Sequence, residues 1–415
     1  MIRIVGLAVC FVLAMSAAAF AATEVNFELS VGEVARENRP VRIAVQVPAA
    51  LLPACQATVE INGVKIPAQL TRPRLLSDAQ QAGANVAAEL YFIAPKLAAG
   101  TTVLGKAVLE AGAATSGPTF QWKDTAGKHT DLVFGERNVL RYMYEPLDTS
   151  SKDRRGETMK VYHHVFDPTG KQLVTKGPGG TFPHHRGLYF GFNRISYGEK
   201  LTADTWHCNN GEFQSHEKVI SSDVGPVLGR HVIEVAWHGK TGDVFAREQR
   251  ELTAYNTAGG MLIEFATVLK SEVGPVKLDG DPQHAGFQFR AAQEVAEKTK
   301  GQTYYIRPDG KAKPGEFRNW PGQKEHANLP WHALSFVVAE QRYTCCYLDR
   351  PGNPKESRFS ERDYGRFGSY FEYQLAADKP LRLNYRVWLQ TGEMEETAVE
   401  ALDNDFIKPV VAAVK

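Results

Sequence analysis

The sequence predicts an all-β protein: a small N-terminal β-sandwich followed by a large antiparallel β-supersandwich. Three observations lead there. Period-two alternation recurs along the chain, as at residues 41–47 (VRIAVQV) and 381–389 (LRLNYRVWL). Asn-Gly and other glycine-containing turns separate the alternating runs at short intervals. Residues 393–403 alone read convincingly as helix, with acidic side chains in the first turn.

Taken in order, residues 1–21 read as a cleaved secretory signal. Arg3 precedes an apolar run at residues 4–15, and Ala19-Phe20-Ala21 supplies the small-x-small pattern for cleavage after Ala21. The run is shorter than the roughly 18 apolar residues a spanning helix needs, and no later stretch reaches that length. A soluble periplasmic or secreted protein is the expectation. Residues 22–123 alternate short strands with turns, including Asn62-Gly63 between two strand-like arms, and carry no histidine. They read as an accessory β-sandwich. The polar stretch at 123–130 is the expected linker. Residues 131–410 carry longer alternating segments and read as the large supersandwich with the site.

Charge and cysteines exclude several function classes. Without Arg3, 47 basic residues face 47 acidic ones, with no run of either sign, so a nucleic-acid surface is not predicted. Cys55, Cys208, Cys345 and Cys346 form no CxxC, which disfavours a zinc ribbon or redox dithiol. Cys345 and Cys346, adjacent in a strand, would face opposite sides.

Eleven of the twelve histidines lie between His163 and His332. The densest patch is PHHRGLYFGFN at 183–193, followed by DTWH at 204–207, EFQSH at 212–216 and DPQHAGFQFR at 281–290. An extended patch would put His185, Gly187, Tyr189, Gly191 and Asn193 on one face. His184 would join them only if a bend after Pro183 broke the alternation. Neutral imidazole transfers protons near neutral pH and ligates metals. His185 and His184 are therefore the candidate proton-transfer groups, with Asp204 and His216 assisting. Arg186 and Arg290 could stabilise developing negative charge. Tyr189, Trp206, Gln288 and Tyr364 complete a candidate substrate surface, since aromatic faces stack on sugar rings. A divalent metal on His185, His207 and His216 is the cofactor these residues would suit. HExxH and a GxSxG elbow are missing, and no GK[ST] follows Gly177-Pro178-Gly179-Gly180, so that run is not a phosphate-binding loop.

These residues resemble the bacterial family labelled methane oxygenase PmoA. The likeness lies in His184-His185-Arg186-Gly187-Leu188, Asp204 with Trp206, His216, Gly286 with Arg290, the segment 349–354, and Tyr364-Gly365. It covers residues 139–390. Tyr189-Phe190 and Arg350 depart from the pattern, standing where tryptophan and histidine are common. The resemblance implies a galactose-mutarotase-like fold, an exported protein of polysaccharide-digesting bacteria, and a site around the His-His-Arg patch. The implied activity is acid–base chemistry on a sugar or 3-keto glycoside by a lyase, hydrolase or epimerase. A non-catalytic carbohydrate-binding protein and the metal-dependent oxygenase of the label are the alternatives. The partner in each of the first two is a carbohydrate.

Overall fold

The structure, a computed structural model, describes residues 22–52, 54–78, 84–112 and 117–415; the export signal read at 1–21 lies outside them. No helix among the described residues is long and apolar enough to cross a membrane. The protein is all-β, and its four sheets are antiparallel throughout.

The N-terminal β-sandwich is one seven-stranded sheet folded over its own core, running Arg39–Pro48, Asn85–Ala94, Val64–Thr71, Cys55–Ile61, Thr102–Ala111, Thr23–Ser30 and Val411–Val414. Its inward positions hold Phe27, Leu29, Ile43, Val59, Leu90 and Phe92, all essentially inaccessible. Asn62 and Gly63 both adopt positive φ (53° and 77°), the type I′ geometry that matches strand twist, and join Ile61 to Val64. The last strand comes from the far end of the chain, so the small sandwich is completed by the C-terminus.

The large domain packs an eight-stranded against a nine-stranded sheet. The first runs Arg358–Arg362, Arg366–Tyr370, Ala285–Arg290, Leu188–Phe192, Tyr162–Val165, Arg137–Met143, His129–Phe134 and Phe120–Thr125. The second is centred on Val244–Tyr255, Met261–Ser271 and Leu381–Thr391. Between them lie Phe190, Phe192, Trp237, Phe265, Phe287, Tyr347 and Phe367. Each such side chain contributes about 1.5–3 kcal/mol by leaving water. Cys345 faces this core and Cys346 the opposite side, among Trp388, Leu402 and Phe406, as alternation requires; both are free thiols.

Two sequence expectations change. Residues 123–130 form no linker: they close the hairpin of Phe120–Thr125 and His129–Phe134, so the large domain begins earlier than 131. Gly127 (φ 70°) provides the turn that the polar composition signalled. A second helix, Lys152–Thr158, was not expected; Ser151 caps it by accepting from the Arg154 amide at 3.1 Å. The C-terminal helix runs Glu396–Ile407 and buries Val399, Leu402 and Phe406.

Candidate functional site

Four histidines from three loops converge beside the paired strands Leu188–Phe192 and Ala285–Arg290, the His184-His185 and His284 loops entering from opposite ends of that pair. The strand holding the His-His-Arg patch starts only at Leu188. Before it, the His185 amide donates to the Phe182 carbonyl at 3.1 Å, closing a turn with Phe182 at φ 55°. That turn breaks the alternation expected from His184 onward, so the His184 and His185 rings lie together, 4.4 Å apart. From Leu188 the alternation holds: Leu188, Phe190 and Phe192 enter the core, and Tyr189 packs on the other side against Trp206. Gly187 is required sterically. At φ 27°, a Cβ there would sit 2.0 Å from the His163 carbonyl oxygen of the neighbouring strand.

The second loop brings Asp204 and His207. Asp204 Oδ1 accepts from the backbone amides of Trp206 (2.9 Å) and His207 (2.8 Å), while Oδ2 meets His207 Nδ1 at 2.7 Å. The third brings Asp281 and His284, with His284 Nδ1 2.9 Å from Asp281 Oδ1. Asn193 donates to the other oxygen of Asp281 at 2.6 Å. This loop folds back across the sheet because Gln288 Nε2 donates to the carbonyls of Pro282 (3.1 Å) and Ala285 (2.7 Å). The His284 ring thereby comes within 5.2 Å of both His184 and His185 and 4.5 Å of His207.

Burial disfavours the charged form of His184, His185 and His284. His184 is pushed down to about 2, first by desolvation and then by Lys160 and His207. His185 falls well below its ordinary value by desolvation, with Arg366 adding to it. His284 is lowered by desolvation against the opposing pull of Asp281. His184 Nε2 and His185 Nδ1 are buried without a protein partner. Ring nitrogens of His184, His185 and His284 lie within 4.8 Å of one another and could hold a cation. His326, His332 and Glu361 form another such group. There, however, Arg307 already binds both Glu361 oxygens (2.6 and 2.5 Å), and the His332 ring nitrogen takes a further site at 2.8 Å.

The structure brings some predicted site residues together and separates others. His184, His185, Asp204 and His207 share the site, with Tyr364 at its edge, 6.2 Å from the His185 ring and packed at a tilt against Phe182 at 4.6 Å. His216 stands apart. Its Nδ1 lies 3.2 Å from the Tyr142 hydroxyl and its ring packs on Tyr144, so the expected ligand set of His185, His207 and His216 does not form. The strand Phe213–Val224 that carries it belongs to the opposite sheet. Arg186 is spent on structure: it caps the first helix by donating to the Gly156 and Glu157 carbonyls. Tyr189 donates to the Thr205 carbonyl, and Trp206 is buried edge-on behind His185. Gln288 holds the third loop, and Arg290 donates to the Ala291 and Tyr364 carbonyls. These five form the wall rather than the lining. His284 was missed by sequence reasoning, although a signal existed: Asp-x-x-His occurs at 204–207 and again at 281–284.

A hollow of about 700 Å³ is lined by Arg155 and Glu157 of the first helix, Gly179, Gly180, and Pro183 and Cys208, the chain neighbours of His184 and His207. Gly177 to Gly180 thus form a loop bordering the site.

Among solved structures, a protein in glycosyl hydrolase family 38 from Enterococcus faecalis is similar at TM-score 0.47 and 10% identity, over 94% of this chain and 47% of that one. An alpha-mannosidase from Enterococcus faecalis V583 is similar at TM-score 0.42 and 10% identity, over 94% of this chain and 46% of that one. The chain spans about half the length of each. The comparison with curated proteins found no match. The four histidines and both carboxylates all lie within residues 129–403, the stretch that matches a profile described as "Family of unknown function (DUF6807)", and the chain belongs to that family.

Proposed function

We propose that this protein is an enzyme that transfers protons on a carbohydrate substrate, with His207 and His284 as the exchanging groups. One observation carries the reading: two Asp-x-x-His pairs converge with their imidazole rings 4.5 Å apart. A carboxylate at Nδ1 fixes the proton there and leaves Nε2 with a lone pair facing outward, the tautomer a general base needs. Two such groups divide the work, one removing a proton and the other receiving it across the short gap and returning it to a departing oxygen. Both are partly exposed (23% and 21%), while His185 is buried and orders the loop. The carbohydrate part of the proposal rests on the resemblance of the 184–187 and 281–290 segments and on the Phe182–Tyr364 aromatic pair at the rim.

A second reading follows from the three ring nitrogens of His184, His185 and His284: a divalent ion bound there would polarise a sugar oxygen. Asp281 behind His284 is the support such a ligand requires.

Both readings are tested by incubating the mature chain in D2O with a panel of glycosides, 3-keto glycosides and uronides, with and without chelator. Mass spectrometry reads deuterium incorporation and cleavage. Proton transfer predicts incorporation that chelation leaves intact and His207→Gln abolishes. Loss on chelation, restored by a divalent ion, selects the metal reading. Measurable sugar binding with no incorporation or product from any substrate sinks the enzyme.

A further inference from the structure

Five basic side chains surround the histidine group, all almost wholly buried: Lys160 and Lys176 (2% and 3% exposed), Arg186 and Arg290 (1% each) and Arg366 (0%). Desolvation pushes both lysines down to about 7, so the three arginines carry the fixed charge and an anion would hold the lysines protonated. Every acceptor they use is neutral. Lys160 donates to the His184 carbonyl at 2.8 Å and to that of Trp206, bridging two of the three site loops. Lys176 donates to the carbonyls of Gly177 (2.9 Å) and Gly179. Arg186 and Arg290 bind the backbone carbonyls already named. Arg366 binds the Pro282 carbonyl (3.3 Å), Gln288 Oε1 (2.9 Å) and the Ser360 hydroxyl (2.8 Å). Asp204 and Asp281, the carboxylates within the histidine group, are held by His207 and His284.

Such an arrangement is costly unless a negative charge completes it. Guanidinium groups stay protonated in proteins, and buried charge without a counter-charge is strongly unfavourable. Elsewhere in the molecule buried arginines are paired, as in Arg250–Glu248 at 2.7 Å, Arg386–Glu264 at 3.0 Å and Arg307–Glu361 at 2.5 Å. The site is the exception. Its unpartnered buried atoms include donors: Arg290 Nε and Nη2, Arg366 Nε and the Trp206 indole nitrogen. The electrostatic reach of the ring is direct, since Arg366 and Arg290 both act on His185, and Lys160 and Lys176 on His184.

We infer that the ligand of this site is anionic, a sugar bearing a carboxylate such as a uronate, with the buried cations as its counter-charge. The anionic part rests on the charge ring alone; the sugar part rests on the function proposed above. It also assigns the proton-transfer step. An imidazole Nε2 takes the proton from the carbon next to the carboxylate, and the C–H electron pair passes into an enolate whose extra charge the cations stabilise. That pair then forms a C=C bond and expels the oxygen on the β carbon. The expelled oxygen takes up the proton removed from carbon, returned by the imidazolium that the first half of the step formed or by the facing imidazole after that proton is handed to it. Both rings end neutral, and no oxidant or other reagent is consumed.

The test is calorimetric titration of the mature chain with D-glucuronate, D-glucose and D-glucose 6-sulfate, at low and high salt. Glucuronate is expected to bind at least about 10-fold tighter than glucose, with the difference shrinking at high salt, and Arg290→Met is expected to remove it. Tighter binding of the sulfate ester than of glucuronate would overturn the carboxylate. Equal binding of glucuronate and glucose, or a preference unmoved by both salt and Arg290→Met, would overturn the anionic ligand. Salt dependence in the wild-type chain decides the matter if the variant fails to fold. A uronate preference with no deuterium incorporation leaves the ligand standing and removes the enzyme; turnover of neutral sugars without preference does the reverse.

Discussion

His207 and His284 face each other at 4.5 Å between ring centres, each held from behind by an aspartate three residues earlier in the chain. The two units come from different loops, at 204–207 and 281–284, yet they use the same local device. An aspartate orients the imidazole, and the same side chain accepts backbone amides that close its turn. The amide-accepting oxygen sets the loop, and the charge sets the imidazole.

Those roles separate on substitution. In Asp204→Asn the amide oxygen still accepts from the Trp206 and His207 amides, so the fold should persist within a few degrees of the parent melting temperature. The negative charge that supports the imidazolium is lost, and kcat/KM should fall by about 100-fold. Steady-state kinetics with a melting curve checks this; equal activity would remove His207 from the proton path.

Acid should destabilise the fold through its histidines. His164, His231 and His326 are held down to about 4, 3 and 3, each chiefly by desolvation. Below the ordinary value of about 6.5 the unfolded chain therefore binds more protons than the folded one, so stability drops as pH falls and is fully present above that value. Each fully buried histidine adds a slope approaching ~1.4 kcal/mol per pH unit in that window. Melting temperatures across roughly pH 7 to 5 should decline steeply; a flat profile would contradict the burial.

Glu361→Gln should cost about 3–5 kcal/mol in denaturant unfolding, because it leaves buried Arg307 without its counter-charge. The carboxylate also accepts from the Arg318 amide at 2.8 Å and meets the His332 ring. A loss under about 1 kcal/mol would mean that solvent reaches the pair.

Gly187→Ala should destabilise by at least about 2 kcal/mol. Its Cβ would meet the His163 carbonyl oxygen at 2.0 Å, and relief requires the two strands to part just below His185. Urea unfolding measures it. Gly156→Ala, in the first helix with open space around it, is the control and should be nearly neutral or stabilising.

Much of the architecture was legible along the chain. Alternation marked the strands from 41 to 47 and 381 to 389, Asn62-Gly63 marked its hairpin, and Cys345 and Cys346 took opposite faces. These are local consequences of the strand period and of positive-φ turns, so the neighbours in sequence decide them. The helix at Lys152–Thr158 escaped notice because its signal is a single capped turn or two rather than a periodic face.

The site was legible in part. The His-His-Arg patch and Asp204 pointed to two of the three loops that meet, but the turn at Phe182 decided that His184 and His185 would sit together. His284 joined only because Gln288 and Arg366 fold its loop back over the sheet. His216 left because its strand lies in the other sheet. The sequence by itself determined the all-β class, most strand faces and the supply of histidines, all properties of a few consecutive residues. Tertiary structure alone decided which loops meet and that five buried basic side chains beside them hydrogen-bond only to neutral acceptors, because pairing and desolvation depend on neighbours distant in sequence.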